Sequence, residues 1–219
     1  KAAKPDVAIP LYEKFLAALE AELSRPVGRG IFGADMKVSL LNASGAEVGS
    51  RYMANIAGIG LDARVCEIVN HKKKQGYRGK KLYVSALFYC IKHRVPVAAK
   101  VMCDGQTIFD GKYLSMALGT GKYSGGGMRQ TPLAVPDDGL IDVTIIPDIP
   151  MSVIARKVIT LFTGTFHTVK QLTLARGSEV VVLPSGQAAK EPLEVDGEVV
   201  GRLPAKFKVL EDQLNVMVP

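Results

Sequence analysis

The chain has 219 residues, of which 47% are apolar and 22% charged, and its formal net charge is +7. It contains 22 glycines, 12 prolines and no tryptophan, a composition that excludes collagen-like and acidic disordered proteins and is typical of a globular chain. The length predicts one large domain, or one domain with an appendage, with enough chain to bury a hydrophobic core.

The positive charge is concentrated in one stretch. Between residues 64 and 94 the only acid is Glu67, against nine basic side chains. The charge of this stretch exceeds the net charge of the whole chain, so the remainder is close to neutral. Such a stretch indicates either an anionic partner or a solvated face. The basic residues are Arg64, Lys72, Lys73, Lys74, Arg78, Lys80, Lys81, Lys92 and Arg94.

The first part of the chain carries both helical and strand patterns. Apolar residues that recur at three and four positions predict a helix over residues 6–24 and another over residues 81–94. The short apolar runs 36–42 and 51–57 lie on either side of Ser44-Gly45 and predict a pair of strands.

Beyond residue 96 the pattern is that of a β domain, interrupted by one helix over residues 150–163. The turn pairs Asp104-Gly105 and Asp110-Gly111 separate the first of these runs. We therefore predict a mainly β fold with a few helices (α+β), built as an antiparallel two-layer β-sandwich. The predicted strands are 97–103, 107–109, 113–118, 141–146, 172–174, 180–183, 193–195, 198–200, 206–210 and 214–218.

The cysteines and glycines exclude some kinds of site. Cys66, Cys90 and Cys103 are odd in number and widely spaced, which predicts no disulfide framework and a reducing compartment. The segment that begins Gly58-Ile59-Gly60 matches a dinucleotide fingerprint, but such a site needs an acid about 20 residues further on. No acid occurs between Glu67 and Asp104, so we expect these glycines to allow close backbone packing instead.

Three segments carry residue types that can perform chemistry. A glycine-rich loop at 123–128 could form an anion-binding nest of backbone N–H groups, or be a flexible loop. Adjacent carboxylates within 132–142 could hold a hard cation, or belong to a turn. Asp196-Gly197 predicts a hairpin turn that brings Asp196 and Glu198 together at a sheet edge, where a carboxylate could accept a proton from a substrate hydroxyl.

Four segments in this order resemble the bacterial diacylglycerol kinase and sphingosine kinase family. They are residues 55–63 (NIAGIGLDA), 121–128 (GKYSGGGM), 132–141 (PLAVPDDGLI) and 195–198 (VDGE). The resemblance covers residues 35–219, which would be the family's C-terminal, mainly β lipid kinase domain. Residues 1–34 are then predicted to be a helical segment and linker, a remnant of or a connection to an N-terminal nucleotide-binding domain.

The resemblance implies phosphorylation of a lipid hydroxyl, diacylglycerol-like or sphingoid-like, that depends on ATP as co-substrate and on Mg²⁺. Glu198 would be the general base, with Asp196 beside it in the catalytic hairpin. Such catalysis depends mainly on positioning and on charge neutralisation. The loop of Gly125, Gly126 and Gly127 would line the cofactor cleft. The carboxylate of Asp138, with the backbone oxygens of Val135 and Leu140, matches the family's magnesium position.

The family's Gly-Gly-Asp-Gly-Thr loop, which holds ATP, does not occur in this sequence. The chain is therefore expected to supply the lipid-side domain and the general base, and not to be a complete kinase. The alternative function is a non-catalytic basic module that binds anionic lipid surfaces or nucleic acid. Few aromatic residues lie among the basic ones, so nucleic acid is not the expected partner.

The resemblance also gives the basic stretch a partner. We expect a cytoplasmic protein, peripheral at the inner membrane surface, where each basic side chain contributes about 1 kcal/mol at most. A homodimer is one oligomeric state that the sequence leaves open. The residues predicted to face the anionic membrane are Lys72, Lys73, Lys74, Arg78, Lys80 and Lys81.

Overall fold

The computed structural model describes residues 5–24, 36–94, 97–124, 127–157, 159–186 and 191–210. Its helices are α1 (Pro5–Leu23), α2 (Leu61–Lys74), α3 (Lys80–Lys92), α4 (Met151–Lys157) and α5 (Thr160–Thr163), followed by a 3-10 turn at Phe166–Thr168. Its strands are β1 (Met36–Leu41), β2 (Glu47–Met53), β3 (Ile56–Gly60), β4 (Val97–Cys103), β5 (Gln106–Gly119), β6 (Ile141–Pro147), β7 (Thr173–Gly177), β8 (Glu179–Ser185), β9 (Pro192–Val195), β10 (Glu198–Arg202) and β11 (Ala205–Val209).

All strand pairings in the described residues are antiparallel. The hydrogen-bonded order is β10-β9-β3-β5-β4-β8-β11-β1-β2, and β6 pairs with both β5 and β7. The long strand β5 joins the two layers, because its first half pairs with β4 while its second half pairs with β3 and β6. The predicted antiparallel β-sandwich is confirmed.

The core lies between the layers and is built from alternate residues of the strands. β4 shows this directly, since Val97, Ala99, Val101 and Cys103 are buried and the residues between them are not. A strand alternates its side chains between its two faces, so this period buries one face of β4. A second, smaller apolar cluster joins α2 to α3 around Val65, Val69, Ala86 and Cys90.

Several predicted boundaries are wrong. The run 51–57 is not one strand, because β2 ends at Met53 and β3 begins at Ile56. Asp110-Gly111 is not a turn, since both residues continue the ladder of β5 opposite β4. The predicted helix 150–163 is divided into α4 and α5. The predicted strand 214–218 lies outside the described residues.

Helix α2 was not predicted, and it is the element that builds the site. It follows β3 directly through Gly60, whose φ is 81°. A Cβ at this position would lie 2.7 Å from the carbonyl oxygen of Leu114, so the glycine allows the close backbone packing that was predicted. The chain therefore turns sharply from the sheet into a helix that packs against β3 and β9. Within the described ranges, no helix is long and apolar enough to cross a membrane.

Candidate functional site

The tip of the β9–β10 hairpin is anchored to the start of β3 by Asp196. Its carboxylate accepts the backbone N–H groups of Ala54, Asn55 and Ile56 at 2.9, 3.1 and 3.0 Å. Its own N–H donates to the carbonyl of Ile56 at 2.9 Å. Both carboxylate oxygens are engaged, so the structure gives this side chain a positioning role. The catalytic role of Asp196 stays a prediction.

Asn55 connects this hairpin to the segment that follows β5. Its side-chain amide donates to the carbonyl of Tyr123 at 3.1 Å. Its backbone carbonyl accepts the N–H groups of Thr120 and Gly121 at 3.1 and 3.3 Å. The segments 55–63, 121–128 and 195–198, which are far apart in the sequence, therefore meet around one residue.

Glu198 lies at the first position of β10 and faces solvent. Its side chain is 74% exposed and forms an ion pair with Arg51 at 3.3 Å. The hairpin thus carries both predicted carboxylates, but the carboxylate of Asp196 is held by β3 while that of Glu198 is accessible. The role of Glu198 as general base stays a prediction.

Sequence reasoning missed Glu194, a third carboxylate of the same hairpin. Glu194 is buried on β9, and its carboxylate accepts the N–H of Gly197 at 2.8 Å. Burial raises the pKa of Glu194 to about 7, and the nearby charges of Asp62 and Asp196 act in the same direction. The available signal was an acid between Leu193 and Val195 in a strand that has few exposed positions.

Asp62, in the first turn of α2, lies beside Glu194. The hydroxyl of Ser115 donates to its carboxylate at 2.7 Å, and burial raises the pKa of Asp62. Gly58 lies between the two acids. A Cβ there would come within 2.7 Å of the Glu194 Oε1 atom and 2.9 Å of the Asp62 Cβ atom. The glycine is therefore what allows the two carboxyl groups to approach each other.

Asp62 and Glu194 line a polar pocket of about 430 Å³ between the hairpin, α2 and α3, and Glu198 is not among its lining residues. The Cys66 thiol and the Asn70 amide bridge α2 to the hairpin by donating to the carbonyl of Gly197, at 2.9 and 3.0 Å. Ser124 contributes a buried hydroxyl that has no hydrogen-bond partner among the described residues. A few convergent polar groups in a concave site are typical of small-molecule recognition. The other polar lining residues are Asn55, Lys73, Tyr83, Gln130 and Asp196.

A second, apolar pocket adjoins the polar one, since Asp62 and Gln130 line both, and its cavity volume is about 90 Å³. Its walls come from the start of α2, from α3, β5 and β6, and from the segment that contains α4 and α5. Its apolar lining residues are Leu61, Leu87, Ile91, Leu114, Ala117, Met128, Ile146, Ile149, Ile154, Leu161, Phe162, Phe166, Val169 and Leu172.

The glycine loop is only partly described. Gly125 and Gly126 lie outside the described residues. The N–H groups of Gly127 and Met128 both donate to the carbonyl of Ser124, at 3.0 and 3.1 Å. These two N–H groups are therefore used within the turn, and the role predicted for Gly125, Gly126 and Gly127 stays a prediction.

The turn predicted to bind Mg²⁺ has its carboxylate engaged by protein groups. One oxygen of Asp138 accepts the N–H of Leu140 at 3.0 Å, and the other pairs with Arg176. The carbonyl of Val135 accepts the N–H of Asp138 at 3.4 Å. In this arrangement the guanidinium supplies the positive charge, so these residues do not fit Mg²⁺ as they stand. The described residues contain no cluster of three metal-binding side chains, and the metal role of Val135, Asp138 and Leu140 stays a prediction.

The basic stretch separates into paired and exposed members. Arg64 donates to the buried carboxylate of Glu191 at 2.8 Å, and Arg94 lies 3.8 Å from Asp148. Both residues therefore help to hold the fold together. In contrast Lys72, Lys73, Lys74, Arg78 and Lys81 are exposed, while the side chain of Lys80 is not described. The anionic membrane as their partner stays a prediction.

Comparison with known proteins identifies relatives of most of the chain. Residues 55–218 match the family model of the YegS C-terminal, NAD-kinase-β-sandwich-like domain. A YegS-like lipid kinase of Stenotrophomonas maltophilia strain K279a is 31% identical over 115 residues, which cover 51% of this chain and 35% of the relative. A crystal structure of a diacylglycerol kinase from Bacillus anthracis strain Sterne aligns over 81% of this chain and 54% of its own, at 18% identity and a TM-score of 0.55. The last similarity shows a shared fold.

The beginning of the chain has different relatives. Residues 1–45 match the family model of D-Tyr-tRNA(Tyr) deacylase. The D-aminoacyl-tRNA deacylase of Flavobacterium psychrophilum is 64% identical over 42 residues, which are 19% of this chain and 28% of the relative. The chain thus spans about a third or less of the curated relatives that it matches. The match extends across β1, which pairs with both β2 and β11. The interpretation of residues 1–34 as a remnant of, or a connection to, a nucleotide-binding domain stays a prediction.

Proposed function

The chain belongs to the family of YegS C-terminal, NAD-kinase-β-sandwich-like domains, and we propose that it is the lipid-side domain of a kinase that phosphorylates a lipid hydroxyl. The family match confirms the resemblance found in the sequence, and the relatives of this part of the chain are kinases. The lipid acceptor, ATP as donor and the roles of individual residues belong to the proposal.

The apolar pocket is the observation that carries the choice of a lipid. Most of the side chains that line it are apolar, and it meets the polar pocket at Asp62 and Gln130. A ligand that fills both pockets needs a hydrocarbon part and a hydroxyl-bearing polar part. Burial of hydrocarbon contributes about 25 cal/mol per Å², so the apolar pocket would provide affinity and the polar groups would fix the orientation of the head.

The acids of the hairpin suggest a division of roles. Glu198 is accessible and would take the proton of the lipid hydroxyl. As it does so, the hydroxyl oxygen would form a bond to the γ-phosphorus of ATP, and ADP would depart. Asp62 and Glu194 lie deeper and would hold other head-group hydroxyls by hydrogen bonds. Since the pKa of Glu194 is raised to about 7, this side chain can donate or accept a hydrogen bond near neutral pH.

A non-catalytic lipid-binding module is the second candidate. It is favoured by the apolar pocket itself, which could hold a hydrocarbon chain without any phosphoryl transfer. The two candidates agree on lipid binding and differ in phosphoryl transfer.

The test measures lipid binding and phosphoryl transfer separately. The protein is incubated with labelled ATP, Mg²⁺ and dioctanoylglycerol or a sphingoid base in detergent micelles, and phosphorylated lipid is counted. We expect lipid binding by this chain, and transfer by a protein that joins it to a nucleotide-binding domain. Transfer should be lost in Glu198→Gln and retained in Glu67→Gln, a matched change at an exposed acid of α2. Lipid binding without transfer would favour the non-catalytic module. Failure of every lipid alcohol to bind would refute both candidates.

A further inference from the structure

Helix α3 presents an apolar face to solvent. Its inner side packs on α2 through Leu82, Ala86 and Cys90. On its outer side Val84, Phe88 and Tyr89 are 48%, 67% and 58% exposed. Their spacing of four and five positions places them on one side of the helix. We call these three residues the α3 face.

Basic side chains flank the α3 face along its own helix. Lys81 and Lys92 lie one turn beyond it at either end of the helix and are exposed. The end of α2, which the chain connects to the start of α3, carries the exposed Lys72 and Lys74, and the ammonium of Lys72 lies 5.3 Å from the ring centre of Tyr77. The only acid between residues 64 and 94, Glu67, is paired with Arg202 at 3.4 Å. An apolar centre with a cationic rim matches the chemistry of an anionic phospholipid surface.

The same helix forms a wall of the apolar pocket. Leu87 and Ile91, which follow Val84 and Phe88 by three positions each and so lie beside them on the helix, line the pocket, and Leu161 and Phe162 of α5 line it as well. Phe162 is 51% exposed, so it lies where the pocket meets solvent. The exposed apolar surface of α3 therefore continues around the same helix into the wall of the pocket.

We propose that the α3 face inserts into the interfacial region of a bilayer that contains anionic phospholipids, with Phe88 as the main anchor. The basic rim binds the head groups, and a hydrocarbon chain passes from the bilayer into the pocket between α3 and α5. The passage of the chain rests on the proposed function, whereas the insertion of the face does not. The sequence predicted an electrostatic surface, and the structure adds an apolar anchor to it.

The test uses the absence of tryptophan from the sequence. Phe88→Trp gives a single reporter on the α3 face, and Val48→Trp places the same reporter on β2, at a residue that is 66% exposed. The full chain is mixed with vesicles of phosphatidylcholine and phosphatidylserine. We expect the emission of the residue 88 reporter to shift to the blue and to be quenched by lipids brominated on their acyl chains. The reporter at residue 48 should show neither effect.

A second pair of variants measures the contribution of the anchor. Phe88→Gln should lower the partition coefficient onto these vesicles about tenfold, as expected when one aromatic anchor of an interfacial helix is lost. Tyr52→Gln, at a residue that is 52% exposed on β2, should leave it unchanged. Equal partitioning of the two variants would overturn the proposal.

Other occupants of the face give different results. Shielding of the residue 88 reporter without vesicles, which increases with protein concentration, would assign the face to a second copy of the chain and overturn the proposal. Shielding by added RNA or DNA, but not by vesicles, would also overturn it. The vesicles contain no lipid alcohol, so the two experiments are independent. Failure of the α3 face to insert would not count against the proposed function, and failure of the micelle assay would not count against insertion.

Discussion

The carboxylate of Asp196 accepts the backbone N–H of Asn55 at 3.1 Å across 141 positions of sequence. This bond joins the β9–β10 hairpin to the start of β3, and the side chain of Asn55 in turn donates to the carbonyl of Tyr123. The three backbone N–H groups held by one carboxylate explain why an acid is needed in this turn.

Asp196→Ala removes both acceptor oxygens and with them three hydrogen bonds. It should destabilise the protein by about 2 kcal/mol, because hydrogen bonds to a charged group contribute about 1.5–3 kcal/mol. Asp196→Asn keeps one acceptor oxygen, and asparagine tolerates the positive φ of 48°. This variant should therefore lose less stability than the alanine variant. Thermal unfolding measures both, with an expected decrease of roughly 4–8 °C for the alanine variant. Equal melting temperatures for wild type and Asp196→Ala would contradict the positioning role.

The buried acid Glu194 should make stability depend on pH. Its pKa rises from 4.5 to about 7 on folding, so the folded state binds the proton more tightly than the unfolded state. The free energy of unfolding should therefore be highest below about pH 4.5 and fall as the pH rises to about 7, by roughly 3 kcal/mol at most. The raised pKa of Asp62 acts in the same direction.

Denaturant unfolding between pH 4.5 and 8 tests this on wild type and Glu194→Gln. The glutamine can still accept the N–H of Gly197, but it does not titrate. The variant should lose most of the pH dependence and keep the part that comes from Asp62. An unchanged slope would show that Glu194 keeps its ordinary pKa in the folded protein.

Arg176 should control whether Asp138 can bind a cation. The guanidinium pairs with Asp138 and also with Asp142 at 3.0 Å. Arg176→Gln frees both carboxylates, and Mg²⁺ prefers such oxygens. We expect millimolar Mg²⁺ to raise the melting temperature of Arg176→Gln more than that of wild type. An equal Mg²⁺-dependent increase in both proteins would show that the cation binds with Arg176 in place.

The exposed lysines of α2 should contribute to vesicle binding through charge. Lys72→Glu with Lys74→Glu should weaken sedimentation with anionic vesicles, while Lys112→Glu with Lys208→Glu lowers the net charge equally on the sheet. Lys73 is left unchanged because it lines the polar pocket. The difference between the double variants should shrink as salt is added, since added salt shortens the Debye length. Equal loss in both would indicate a net-charge effect without a specific surface.

The sandwich was predictable because its strands alternate and their ends carry strong turn residues. Asp104-Gly105 and Asp196-Gly197 both occupy turns with positive φ, as expected for such pairs. Asp110-Gly111 has the same residues but pairs with Lys100 and Ala99 along β5. A long partner strand overrides the local preference, which sequence alone does not reveal.

The acidic pocket was not predictable in the same way. The alternation of Leu193, Glu194 and Val195 marks two faces of a strand, but it does not say that α2 covers the polar face. Leu61, Val65 and Ile68 have helical spacing and are the sequence signal for α2, but the run of lysines that follows them carries no apolar repeat. The family resemblance found the segments that meet at Asn55, and it did not identify the similarity of residues 1–45 to deacylases.

The central claim is that the apolar pocket binds the hydrocarbon part of a lipid alcohol. Titration of the 219-residue protein with dioctanoylglycerol or a short-chain sphingoid base, below micelle concentrations, tests it most directly by calorimetry. Ala117→Leu fills the pocket from β5, Leu161→Gln makes its mouth polar, and Leu183→Gln makes the same polar change on β8. We predict saturable one-to-one binding of at least one lipid that is weakened about tenfold or more by the first two variants and unchanged by the third. Absence of saturable binding to wild type, or equal binding by all four proteins, would contradict the account.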